Sequence, residues 1–123
     1  MKIGQVATAA EVSVDTVRFY ERRGVLPEPR RRPSGYREYS SSSVERIRMA
    51  KLLQQLGFTL EEIIDCLHAH DAGNATCEGE MWRLDAVLGR IDARIAELRR
   101  TRRLVTSTMD ECRSGQCRFA SER

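Results

Sequence analysis

The sequence predicts a mainly α protein, with a winged helix-turn-helix head followed by a long antiparallel coiled-coil dimerisation helix. Three observations predict it. Short segments with helical apolar spacing surround a basic, hairpin-like stretch in the first half. A sustained seam of apolar residues in steps of three and four runs from Met81 to Met109. Cysteines stand at both ends of that seam, Cys77 at its beginning and Cys112 with Cys117 just past its end. The expected boundaries are 1–71 for the head, 76–110 for the dimerisation helix and 111–123 for a cysteine-bearing, metal-binding loop and tail.

In Lys2 to Ala10, residues Ile3, Val6 and Ala10 share helical spacing, predicting a short amphipathic helix. Ser13 is an N-cap for a second helix, Val14 to Arg22, which Gly24 ends and which Pro27 and Pro29 cannot continue. Two short helices across a tight turn make a helix-turn-helix. Pro29 to Tyr39 reads as a basic β-hairpin wing turning at Ser34-Gly35. The serine run Ser40 to Ser43 caps a helix from about Val44 to Leu56, with Ile47, Leu52, Leu53 and Leu56 expected inward and Gly57 as its stop. Thr59, followed by Glu61 and Glu62, opens another helix from Leu60 to about Ala69 in a capping-box-like pattern.

From Thr76 onward the apolar positions are Met81, Leu84, Leu88, Ile91, Ile95, Leu98, Val105 and Met109, interrupted only by Arg102. Such a pattern argues for a coiled coil. Heptads do not fix orientation, and the antiparallel choice rests on the cysteines together with a family resemblance. A helix of about 35 residues is about 50 Å long, so Cys77 cannot meet Cys112 within one chain, whereas two antiparallel copies bring them together. Each site then takes Cys77 from one protomer and Cys112 with Cys117 from the other.

The net charge of +3 conceals an uneven distribution: residues 1–58 carry +5, residues 59–75 carry −4 and residues 76–123 carry +2. A basic head on a balanced helix suggests nucleic-acid binding and oligomerisation. The opening MKIGQVATAA has no long apolar run, so neither a signal peptide nor a membrane span is expected, and the cytoplasm is the expected compartment. Reduced thiols there favour metal ligation or redox sensing over structural disulfides. An enzyme is not expected, because His68 and His70 beside Cys77 or Cys112 lack an orienting third group.

Thr16, Arg18 and Tyr20 on the second helix, with Arg30, Arg31, Arg32, Tyr36 and Arg37 on the wing, are candidate DNA contacts. Arginine grips phosphate or guanine bidentately, and hydroxyls bond to phosphate. Ile3-Gly-Gln-Val-Ala7, Val17-Arg-Phe-Tyr-Glu-Arg22, Gly24-Val-Leu26, Ser34-Gly-Tyr-Arg-Glu-Tyr39 and Leu56-Gly-Phe-Thr-Leu-Glu-Glu62 together resemble the MerR family of transcriptional regulators, in its metal-sensing, mercury-resistance-regulator-like branch. The resemblance implies a homodimer that binds promoter DNA, represses without effector and activates RNA polymerase by bending and undertwisting the DNA. It implies DNA contacts from Arg18 and Tyr20, with Tyr36 and Arg37 anchoring the wing.

Thiolates are soft ligands suited to Hg(II), Cd(II), Pb(II), Zn(II) and Cu(I). In metal-sensing relatives a cysteine matching Cys77 marks sensors of divalent ions, and three sulfurs suit trigonal Hg(II). Zinc prefers four ligands. Hg(II) is therefore the expected effector, with Cd(II) or Pb(II) next and Zn(II) third; a reversible Cys112–Cys117 disulfide is the redox alternative. Cys66 is expected in the core, His68 and His70 at the surface, and Trp82 against the head's helices.

Overall fold

The computed structural model describes residues 1–27, 29–31, 33 and 35–116, without the side chain of Arg30. Arg32 and Cys117, both singled out above, lie outside the described residues. The chain divides into two compact units, Met1–Gly79 and a second from Glu80 onward.

In the first unit, α1 (Ile3–Ala10) and α2 (Val14–Arg22) form the helix-turn-helix. Ser13 Oγ accepts the backbone N–H of Thr16 at 3.0 Å, the side-chain cap that starts α2. Glu11 ends α1 with φ of +58°. The carbonyls left open at that end are taken by α3: Lys51 Nζ donates to Ala10 O at 3.2 Å and Arg48 to Ala9 O at 3.0 Å.

Strands β1 (Arg30–Arg31) and β2 (Arg37–Glu38) pair antiparallel, Arg31 opposite Arg37, and form the wing. Gly35, with φ of +88°, supplies the left-handed backbone the turn requires. The N-terminal residue lies against this hairpin: Met1 donates its amino group to Tyr39 O at 2.7 Å, and Tyr39 N–H returns a bond to Met1 O.

Helix α3 (Ser41–Gln55) starts inside the serine run, earlier than expected, with Ser43 buried. Its inward ridge is Val44, Ile47, Ala50 and Leu53, a row at steps of three. Leu52 and Leu56 are instead 55% and 45% exposed: Leu52 is turned about 100° from Leu53, and Leu56 is the C-cap beyond the last residue of the helix. Helix α4 (Leu60–Asp71) opens with a complete capping box: Thr59 Oγ1 accepts Glu62 N–H, and Glu62 Oε1 accepts Thr59 N–H at 2.8 Å. The helix buries Ile63 and Leu67, and Cys66 beside them is only half-buried, correcting its expected core position. Helix α1 packs on α2 and α3, and α3 packs on α4. The core between them holds Val6, Val17, Val25, Ile47 and Leu67.

Helix α5 (Cys77–Arg113) is continuous for 37 residues. Thr76 Oγ1 accepts Gly79 N–H at 2.9 Å at its start. It runs past position 110, so Cys112 lies in its last turn and not in the loop beyond. The reason is that Met109 to Ser114 contains no breaker. The stop is Gly115, whose φ of +86° allows Gln116 N–H to reach Glu111 O and Gly115 N–H to reach Cys112 O, a Schellman closure. No helix among the described residues is long and apolar enough to cross a membrane.

Removing the Ile47 side chain, fully buried in the head, should cost about 2–5 kcal/mol. Thr59→Ala should cost about 1 kcal/mol through the lost cap. Urea denaturation followed by circular dichroism reads both, and the ranking of the two losses is the check.

Candidate nucleic-acid interface

Helix α2 and the wing are joined by one carboxylate. Glu21, in the last turn of α2, has a side chain only 9% exposed. It accepts the Tyr39 hydroxyl at 2.5 Å and pairs with the Arg37 guanidinium. A carboxylate this buried needs such partners, since an unpaired charge in low dielectric is costly. Burial, and next the hydrogen bond to Glu21, raise the Tyr39 phenol above its ordinary value of 10.0.

This junction holds open a groove of about 1540 Å³ bounded by α1, α2 and the wing. Among the described residues, Lys2, Arg18, Arg22, Arg31 and Arg37 line it against one acid, Glu21. Gln5, Thr8 and Tyr36 add hydrogen-bonding groups, and Tyr36 is 71% exposed. The groove therefore combines a helix edge, a protruding aromatic and a concentration of positive charge, which is the footprint of a nucleic-acid surface.

The sequence-derived contacts fall in different places. Arg18 is exposed, with only a 3.8 Å approach to Asp15, and Arg31 is exposed on the wing. Thr16 is half-buried with its hydroxyl 2.9 Å from Ser13 Oγ, so it serves the start of α2. Arg37 faces the groove while bound to Glu21. Tyr20 is 6% exposed, and burial raises its phenol above the ordinary value. It is a core residue, which corrects its reading as a DNA contact. Val17 and Tyr20, three apart, share the inward face, and that spacing was the available signal. Phe19 takes the outward place beside Arg18, 38% exposed with the Arg23 guanidinium 5.8 Å from its ring. Lys2 and Arg22 also belong to the groove, and sequence reasoning passed over both.

Cys77 and Cys112 are both exposed, at opposite ends of α5. Among the described residues, no three potential metal ligands converge within the chain. His68 and His70 are exposed near the end of α4. They line a hollow of about 600 Å³ with Arg46, which donates to Asp71 Oδ1 at 2.6 Å. Trp82 is 59% exposed, with the Arg83 guanidinium 4.5 Å from its ring.

A basic groove between a helix-turn-helix and a wing defines a DNA-binding protein of the winged helix class. Residues 1–70 match the MerR HTH family regulatory protein model, and residues 44–107 match the family's "MerR, DNA binding" model. The chain belongs to the MerR family of helix-turn-helix transcriptional regulators, which are DNA-binding transcription factors and not enzymes. It is 37% identical to the mercuric resistance operon regulatory protein of Bacillus cereus, over 90% of this chain and 84% of that one. It is 34% identical to the HTH-type transcriptional regulator ZntR of Escherichia coli, over 90% and 79%. A transcription regulator from Ralstonia metallidurans, solved in complex with lead(II), superimposes with a TM-score of 0.83 at 30% identity, over 90% of this chain and 87% of that one.

Two outcomes follow for this surface. Arg18→Ala should lower duplex-DNA affinity and reduce the salt dependence of binding by about one unit of log–log slope for each chain bound. Tyr20→Phe should leave both unchanged, as fluorescence anisotropy at several salt concentrations will show. Tyr39→Phe should cost about 1–2 kcal/mol at neutral pH. Because the folded-state phenol titrates above its unfolded value, the Tyr39 contribution is complete below pH 10 and is lost as pH rises through the raised value. Urea midpoints of native and variant protein should therefore converge as the pH is raised beyond 10.

Proposed function

We propose that this chain is a metal-responsive transcriptional regulator. It binds promoter DNA as a homodimer, represses without effector, and activates transcription by RNA polymerase through distortion of the DNA when a soft divalent metal, Hg(II), binds. The cytoplasm is its place of action, where thiols stay reduced.

The observation that carries the reading is the placement of two exposed thiols at the two ends of one unbroken helix. Thirty-five residues at 1.5 Å per residue separate Cys77 from Cys112 by about 52 Å. One ion therefore cannot take both from one chain. An antiparallel partner brings Cys112 of the partner subunit to Cys77, and Cys117 follows Cys112 closely enough to complete a three-sulfur set. The donor chemistry fits: thiolates prefer soft ions, and three sulfurs match the trigonal preference of Hg(II) better than the tetrahedral preference of zinc. Bound metal would tie one end of each helix to its partner. A relative named for mercuric resistance and a structural neighbour solved with lead(II) support a soft-metal effector.

Anaerobic ultraviolet titration of the reduced protein with Hg(II), and in parallel with Cd(II), Pb(II) and Zn(II), tests the reading. The expected result is a trigonal thiolate charge-transfer spectrum, tightest for Hg(II), that Cys77→Ser abolishes. Mixing Cys77→Ser and Cys112→Ser proteins should restore about a quarter of the native sites, one per heterodimer. A linear spectrum indifferent to Cys77→Ser, or a transcriptional response to oxidant alone, would overturn it.

A further inference from the structure

The apolar seam of α5 is uncovered in the chain. Met81, Leu84, Leu88, Ile91, Ile95, Leu98, Val105 and Met109 are between 41% and 55% exposed. The seam also extends further than its apolar residues: Cys77 lies four before Met81 and Cys112 three after Met109, so both thiols occupy seam positions. Resting on the dimeric reading above, the remaining question is the register in which a second copy docks. The charges beside the seam answer it.

Asp85, Asp92 and Arg99 each follow a seam residue directly, on the same flank, as do Glu78 and Arg113. The opposite flank carries Glu80 and Arg94. Parallel pairing would set Glu80 against Asp85 of the partner subunit and Arg94 against the partner's Arg99, both like-charged. Antiparallel pairing places same-flank residues together, and two registers keep Cys77 near Cys112 of the partner subunit. In one, Ile95 packs on the partner's Leu98 and Ile91 on the partner's Arg102. Asp92 then meets Arg99 of the partner subunit, Glu78 meets the partner's Arg113, and Arg94 meets the neutral Thr101 of the partner subunit. In the other, slipped by one heptad, Asp92 meets the partner's Asp92 and Arg94 meets the partner's Arg94 at the axis.

We infer that the dimer adopts the first register, set by two symmetry-related Asp92–Arg99 pairs across the interface. Asp92 and Arg99 are exposed, and among the described residues they make no ion pair within the chain. Arg102, the one charge on the seam, faces Ile91 of the partner subunit beside that same aspartate, so its intrusion into the apolar row is compensated only in antiparallel pairing. A charged residue at one seam position is a recognised means of fixing register at some cost in affinity. This register also sets Cys112 opposite the partner's Met81, one helical turn from the partner's Cys77. The thiols lie close in both antiparallel registers, and the charges choose between the two.

Sedimentation equilibrium of the reduced, metal-free protein at low ionic strength tests the register. Asp92→Asn should weaken self-association about threefold to tenfold, with two pairs lost per dimer, and added salt should erase the difference. Asp85→Asn, whose position faces the neutral Thr106 of the partner subunit, should leave it unchanged. The paired exchange Asp92→Arg with Arg99→Asp should restore native affinity. If Asp85→Asn weakens the dimer while Asp92→Asn tightens it, the slipped register holds and this inference fails. Equal indifference to both substitutions would also overturn it. A chain that stays monomeric at all concentrations would overturn the dimeric reading itself.

Discussion

The Glu21 carboxylate is the junction on which the DNA-binding half depends. It sits in the last turn of α2, nine-tenths buried, and its two partners both come from the wing. Burying a charge is tolerable only when its acceptor capacity is used, so the wing cannot swing away without exposing an unpaired ion to low dielectric. The orientation of β2 relative to α2 is set by this requirement. Tyr39 then passes the constraint on, since its backbone bonds to Met1 at the foot of α1. Helix, wing and N-terminus form one rigid rim, and the basic side chains that line the groove are displayed at fixed positions along it.

A second constraint comes from length. Helix α5 is too long to fold back on itself and presents a row of half-exposed apolar side chains along its course. A stripe of this kind, some 40 Å from Met81 to Met109 at 1.5 Å per residue, is satisfied by another helix of equal length. Exposed thiols stand at its two ends. A ligand that needs sulfur from both ends of the helix needs two chains, so metal occupancy and quaternary structure are linked. On the proposed function, the head supplies affinity for DNA, while the helix supplies the dimer contact and the thiols on which a metal effector would act.

Much of this was legible in the letters. The bounds of α2, its Ser13 cap, the Thr59 and Glu62 box and the wing follow from local rules in which neighbours in sequence are neighbours in space. The seam of α5 was legible for the same reason. Several readings, that of Cys66 among them, went astray where local rules run out. Leu52 and Leu56 look inward on hydrophobicity alone, yet the ridge from Val44 to Leu53 claims the buried face. Tyr20 resembles a DNA contact by type, yet its spacing from Val17 sends it to the core. Cys112 was placed in a loop because Cys112 to Cys117 encloses a central glycine, whereas the helix continues until Gly115 permits the left-handed closure.

The sequence by itself determined the elements, the family and the separation of the thiols, because helix period, capping and rise per residue are properties of short stretches of chain. The tertiary structure decided which side chains of α2 face out, which acid binds Arg37 and Tyr39, and how a groove arises from residues between 2 and 39. Those outcomes depend on contacts between segments far apart in sequence. Glu21 and Tyr39 are eighteen residues apart and neither carries a local signal for the other. Only the packing of α2 against the wing removes water from between them, and it is that removal which makes their bond obligatory.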